Sequence, residues 1–279
     1  MMTSSEDIES GFAALPDGGR IAYEIHGRNH RGIPVLLIQS LGGSMALWGM
    51  FRTRLSEHHR VISFDLRGAG HSSADPAWVS TRGLARDSLR VLDQLGVPSA
   101  NVFGISLGGM TATWLAIQAP TRVAKVCIAS APARGLELSR AGLRRDVAMA
   151  ACFARPARDV EALLVERILS RAFRDAHADE VRRIEEIVRA TPASRAAILK
   201  HALAGVLHDA RRELSQIGAK TMVLAGQQDT LLGVEPQRAL SSAISRATFE
   251  LIADSGHALT LEQPSVTAAL VSRFFAAED

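Results

Sequence analysis

Three residue types that together perform acyl transfer stand far apart in this chain: Ser106, Asp229 and His257. Ser106 lies inside Gly104-Ile105-Ser106-Leu107-Gly108, just past the apolar run from Asn101 to Phe103 and ahead of a helical pattern. An alcohol is a poor nucleophile near neutrality and needs a base within hydrogen-bond reach, itself oriented by a third group. His257, in IADSGHALT, and Asp229, in LAGQQDT, have the right chemistry. The imidazole takes the serine proton and returns it to the leaving group, while the carboxylate fixes the tautomer and stabilises the charged ring. The glycines serve the same end, because a serine presented on so sharp a turn leaves no space for side chains on neighbouring backbone. Asp254 is the rival acid, but it sits in the histidine's own turn and reads as a turn residue.

Acyl transfer also needs donors for the oxyanion that forms on the carbonyl oxygen. The backbone N–H of Leu107, at a helix start, is expected to supply one. The other is expected from the loop after Ile38, QSLGGSMALW, where Gly42-Gly43 lets a main-chain amide turn inward. Leu41 is assigned that role, with Gln39 and Ser40 beside it as substrate contacts. Two readings stand side by side for Arg134, just past the apolar run ending at Ala129: a partner for a substrate carboxylate, or a cation facing water.

These residues need a scaffold that brings strand ends together, and the hydropathy pattern supplies one. Phe12–Leu15 and Arg20–His26 flank Asp17-Gly18-Gly19, a hairpin signal. Short apolar runs then alternate with helical patterns: strands over 34–38, 60–64, 101–103 and 123–129, with helices over 45–56, 81–95 and from Ser106 to before Pro120. From Arg134 to Glu213 only helical patterns occur, with Ser139, Asp159 and Asp175 as candidate caps and Pro156 and Pro192 as breaks. Strands over 221–225 and 248–252 and helices near 236–242 and 265–276 complete the chain. The expectation is an α/β fold: a mostly parallel sheet of about eight strands with an N-terminal antiparallel hairpin, helices on both faces and an inserted helical cap. The core takes residues 1–133 and 213–279 and the cap 134–212. In such sheets ligands bind beyond the carboxyl ends of the strands, where Ser106, Asp229 and His257 all fall.

The 279 residues carry a net charge of only +3, with 47% hydrophobic and 22% charged side chains, so no nucleic-acid partner is expected. The arginines of the helical stretch alternate with acids, as in Arg182-Arg183-Ile184-Glu185-Glu186, the pattern of a solvated, ion-paired face. No segment approaches the length of a membrane span and no apolar leader opens the chain, so a cytoplasmic location is expected. Cys127 and Cys152 read as buried free thiols. No metal-ligand spacing is present, and no cofactor is called for. His201 and His208, seven apart, fit one helix face as surface residues. Nothing in the sequence sets an oligomeric state.

Over nearly its whole length the chain resembles an α/β-hydrolase. Serine, acid and histidine follow in that fold's order, and FDLRGAGHSS from Phe64 resembles its aspartate-arginine-glycine loop, so that Asp65, Arg67, Gly68 and Gly70 read as structural. QSLGGSMALW, GISLGGMTATWLA and LAGQQDT are most similar to 3-oxoadipate enol-lactonases, in which an Asn-Ser-Leu-Gly stretch stands where Gln39-Ser40-Leu41-Gly42 stands here. The tryptophan that those enzymes carry in the cap has no counterpart between Arg134 and Glu213. The resemblance implies a cofactor-free hydrolase of a carboxylic ester or lactone, with an enol-lactone-like acid favoured. The same three residues also serve carbon-carbon bond hydrolysis, thioester cleavage or perhydrolysis, and the scaffold can be kept merely to sense a small ligand.

Overall fold

A computed structural model describes residues 8–73, 78–135, 157–191 and 193–278. Strands β1 (Glu9–Ala14) and β2 (Arg20–His26) form the expected antiparallel hairpin. Its turn rests on Gly18 at φ 83° and on the Asp17 carboxylate, which accepts the Gly19 N–H at 3.0 Å. Strands β3 (Val35–Ile38), β4 (Val61–Phe64), β5 (Ala100–Ile105), β6 (Val123–Ala129), β7 (Lys220–Gly226) and β8 (Ala247–Ile252) complete one eight-stranded sheet in the order β1-β2-β4-β3-β5-β6-β7-β8. From β4 to β8 every neighbouring pair is parallel.

The order explains where a site must form. The chain passes from β3 out to β4, then returns across β3 to lay down β5 on its other side. The connections leaving β3 and β5 therefore diverge, and a crevice opens at their carboxyl ends, where Ile38 pairs with Gly104.

Helices α1 (Gly49–Ser56), α2 (Thr81–Gln94) and α3 (Leu107–Gln118) connect the first strands. The described residues between β6 and β7 form α4 (Ala157–Ile168), α5 (Arg171–Ala176), α6 (Ala178–Ala190) and α7 (Arg195–Val206), with no strand among them. After β7 come α8 (Glu235–Ser242), α9 (Leu259–Glu262) and α10 (Pro264–Ala276).

Strand side chains alternate between two cores, as the two-residue period requires. Leu36, Ile38, Val102 and Ile128 pack with α2 and α3, while Val35, Leu37, Phe103 and Cys127 pack with α1 and α10. The second core includes Phe51 and Phe103 with ring centroids 4.8 Å apart, and the free thiol of Cys127 is buried within it.

Several expectations change in detail. Met45–Trp48 is a 3-10 turn rather than the first turn of α1, and Gly49, at φ 37°, both ends that turn and opens α1. Helix α9 was not expected, since four residues carry no readable period. Serine side chains cap two helices of the excursion: Ser170 accepts the Phe173 N–H and Ser194 that of Ala197, each at 3.1 Å. Asp175 lies inside α5 instead, 3.4 Å from Arg171. His201 and His208 are both buried, with His208 beyond the end of α7. The arginine-acid alternation does form exposed pairs one helical turn apart, such as Arg189 with Glu185 at 3.4 Å. Ser139, Cys152, Pro156 and Pro192 lie outside the described residues.

Candidate active site

Ser106 occupies the turn between β5 and α3 at φ 57° and ψ −119°, a conformation that costs a non-glycine residue roughly 1–3 kcal/mol. The turn persists because its neighbours lack side chains. A Cβ on Gly104 would fall on the Gly108 carbonyl, and one on Gly108 would fall on the carbonyls of Ile38 and Gln39. The elbow is thus pressed directly against the loop that leaves β3. Ser106 also stands at the N-terminus of α3, where the helix dipole favours developing negative charge.

Asp229 follows β7 and is held by two amides of its own loop, two and three residues on: Leu231 and Leu232 N–H each donate to Oδ1 at 2.9 Å. Its Oδ2 lies 3.0 Å from His257 Nδ1 and accepts the Gln237 amide N–H at 3.1 Å. Burial opposes the carboxylate's charge, but His257 and the N–H donors outweigh it and hold Asp229 below the usual carboxylate range. Nδ1 of His257 therefore carries a proton toward Oδ2, which leaves Nε2 as the basic atom. That Nε2 is buried and has no hydrogen-bond partner. Asp254, the rival acid, is exposed, adopts φ 50° and takes part in its turn through its carbonyl, which accepts the Gln263 side-chain amide.

The histidine loop is fixed from beneath. Ser130 Oγ donates to the His257 carbonyl at 2.7 Å. Glu262, on α9, accepts the Gly256 N–H at 3.0 Å and the Ser170 N–H at 3.2 Å, tying the loop to the start of α5. Desolvation raises the Glu262 pKa against the effect of these donors. Gln237 and Glu262 carry no sequence signal, because they lie in no motif and act only through the packing of α8 and α9.

Ser106 and His257 line one cavity of about 350 Å³, together with Gln39, Ser40, Leu41 and Leu107. The helical excursion contributes Leu164, Ile168, Leu203 and Val206, and the core adds Met110 and Leu232, so most of the wall is aliphatic. Gln39 turns its Oε1 back to accept the Ser40 N–H at 2.7 Å. Among the described residues the backbone N–H groups of Leu41 and Leu107 enter no hydrogen bond.

Arg134 is placed differently from the expectation of a substrate contact. Gly135 lines the cavity but Arg134 does not, and its guanidinium is directed to Asp209, with Nε 4.0 Å from Oδ2. The backbone bridge between Arg134 and Asp209 fixes this outward position. The stretch 136–153 lies outside the described residues. Among the described residues there is no cluster of three or more metal-ligand side chains, and no helix is long and apolar enough to cross a membrane.

The family model described as the alpha/beta hydrolase fold matches residues 33–264. The chain is 27% identical over 268 residues to 3-oxoadipate enol-lactonase 1 of Acinetobacter baylyi, covering 96% of this chain and 97% of that protein. It is 28% identical over 260 residues to the RutD protein of Caulobacter segnis, named for carbamate hydrolysis, covering 88% and 92% of the two chains. A crystal structure of a hydrolase from Pseudomonas aeruginosa PA01 superposes with a TM-score of 0.84 at 27% identity, over 99% of this chain and 100% of that one.

Proposed function

The chain belongs to the alpha/beta hydrolase fold family, and from that premise we propose that it is a serine hydrolase cleaving a carboxylic ester or lactone, with Ser106, His257 and Asp229 as its catalytic residues. One observation carries the reading: His257 commits Nδ1 to Asp229 and keeps a buried, unpartnered Nε2 on the cavity that Ser106 also lines.

Ser106 Oγ attacks the substrate carbonyl carbon while His257 Nε2 takes the hydroxyl proton. The amides of Leu41 and Leu107 receive the oxyanion. Collapse breaks the bond to the leaving oxygen, which takes the proton from His257, and the acyl group stays on Ser106. Water then repeats the sequence: His257 Nε2 removes its proton as the water oxygen bonds to the acyl carbon, the acyl–Oγ bond breaks as Ser106 Oγ takes that proton from His257, and the carboxylic acid departs.

The wall of the cavity favours a substrate with an aliphatic acyl part. Arg134 pairs with Asp209 and is not among the described residues that line the cavity. Esters and lactones with such an acyl part fit this lining, and the relative named enol-lactonase supports the lactone side of this choice.

The test is labelling by a fluorophosphonate, combined with turnover of p-nitrophenyl butyrate and a panel of neutral lactones. Wild-type protein is labelled at Ser106 and turns over repeatedly, and Ser106→Ala does neither. Labelling that survives in Ser106→Ala overturns the assignment, and ligand-induced thermal stabilisation without turnover indicates a sensor instead.

A further inference from the structure

The loop that leaves β3 spends its amides in an ordered way. Ser40 N–H goes to the Gln39 side chain at 2.7 Å, and Gly43 N–H goes to the Ser40 carbonyl at 3.2 Å. At the loop's far end, Met45 N–H goes to the buried Asp65 carboxylate at 2.6 Å. The Gly42 N–H is directed away from the sheet, onto Nδ1 of His201 at 3.3 Å. Leu41, between Ser40 and Gly42, lines the cavity, and its N–H enters none of these bonds and is left for a ligand.

His201 belongs to α7, in the helical excursion, yet its ring is fully buried and lines the cavity. Its Nε2 lies 2.9 Å from the Arg67 carbonyl, an atom that only accepts, so Nε2 carries the proton. Nδ1 is then a bare lone pair, the one state in which it receives the Gly42 N–H. The two bonds fix a single neutral tautomer, and burial supports it by lowering the ring's pKa from 6.5 to about 4. Arg67 is itself immobilised by a two-pronged pair with Asp87 at 2.8 and 2.6 Å, so the anchor is rigid. A second contact runs the same way: Thr191 Oγ1 donates to the Ile187 carbonyl, so Ser44 Oγ donates to Thr191 at 2.7 Å.

Resting on the hydrolase reading above, we propose that His201 is the positioning residue of the oxyanion site, a latch through which the helical excursion holds the Leu41–Gly42 peptide and with it the adjoining Ser40–Leu41 peptide, so that the Leu41 N–H faces the reacting carbonyl. The excursion then does more than enclose the substrate. It completes the transition-state site from outside the sheet, and a loop with Gly42 at φ 67° depends on it for its conformation.

The experiment compares His201→Phe, which keeps the ring's shape without an acceptor, with His201→Asn, whose side-chain oxygen replaces Nδ1 toward Gly42. Each is assayed for kcat and KM on p-nitrophenyl butyrate and for affinity toward an alkylboronic acid, which forms a tetrahedral adduct on serine. His201→Phe lowers kcat and boronate affinity together by roughly tenfold to a hundredfold, with KM little changed, because a transition-state donor is misaimed. His201→Asn recovers most of both. Equal losses in the two variants, or a boronate affinity unmoved in His201→Phe, overturn the latch while leaving the hydrolase reading intact. A wild-type protein unlabelled at Ser106 brings down the hydrolase reading, and the latch with it. Should His201→Phe fail to fold, nitrogen NMR of the wild-type ring decides: a neutral Nε2–H tautomer from pH 5.5 to 8 is expected, and an Nδ1–H tautomer or a titrating ring overturns the proposal.

Discussion

Gln237 donates its side-chain amide to Oδ2 of Asp229 at 3.1 Å, the same oxygen that faces His257. The acid is therefore aimed from two sides, by Gln237 from α8 and by the Leu231 and Leu232 amides of its own loop. Removing the Gln237 donor frees the carboxylate to rotate without removing its charge. Gln237→Leu is expected to lower kcat by about three- to tenfold, a loss the size of one hydrogen bond, whereas Asp229→Asn costs about 10⁴ in kcat. Steady-state kinetics on one ester decides between them, and a loss in Gln237→Leu as large as that in Asp229→Asn would show that Gln237 does more than aim the acid.

Asp254→Asn provides the complementary control. The residue is exposed and uses its carbonyl, not its carboxylate, in the turn. Activity within about twofold of wild type is expected, since surface changes of this kind usually stay within about 0.5 kcal/mol. A fall of orders of magnitude would transfer the acid's role to Asp254.

Ser106 stores strain that a glycine would not feel. At φ 57° and ψ −119° the backbone lies in a region natural to glycine. Ser106→Gly is expected to abolish turnover yet raise unfolding stability by about 1 kcal/mol in urea titration, the strain released less the entropy glycine loses on folding. A destabilised Ser106→Gly would contradict a strained elbow.

Two buried histidines give the protein a specific response to acid. Burial lowers the pKa of His201 and of His208 from 6.5 to about 4. Because the folded values lie below the unfolded one, the unfolded chain binds more protons between these limits. Stability is complete above about pH 6.5 and falls as pH drops toward 4, by on the order of 3 kcal/mol per histidine. His208→Phe removes one of the two, so the slope of unfolding free energy against pH across that window should become shallower. An unchanged slope would show that His208 is not protonated on unfolding there.

Arg134→Ala tests the outward placement of that side chain. Its ion pair with Asp209 is partly exposed, at 33% and 42% for the two side chains, and such pairs contribute at most about 1 kcal/mol. Turnover of neutral esters should stay within about twofold of wild type. A large rise in KM would return Arg134 to the substrate site.

Much of this was legible in the sequence, because apolar runs of fixed length report strands covered on both faces. The periods around Val35–Ile38 and Val123–Ala129 place two central strands, and the Gly104 to Gly108 pattern places the elbow between strand and helix. The residue types at the strand ends also point to the proposed chemistry, since few side chains can activate an alcohol. Partners on other elements were not legible. Gln237 meets Asp229 across a span of eight residues, and Glu262 meets Ser170 across ninety-two. His201 meets Gly42 across one hundred and fifty-nine, and in isolation it reads as a surface residue on a helix face. A periodic pattern records which face of an element is apolar, but not which other element will cover it. Only the closed structure brings α7 and α8 against the strand-end loops, and burial there turns an ordinary histidine and glutamine into groups with a fixed tautomer and a fixed aim.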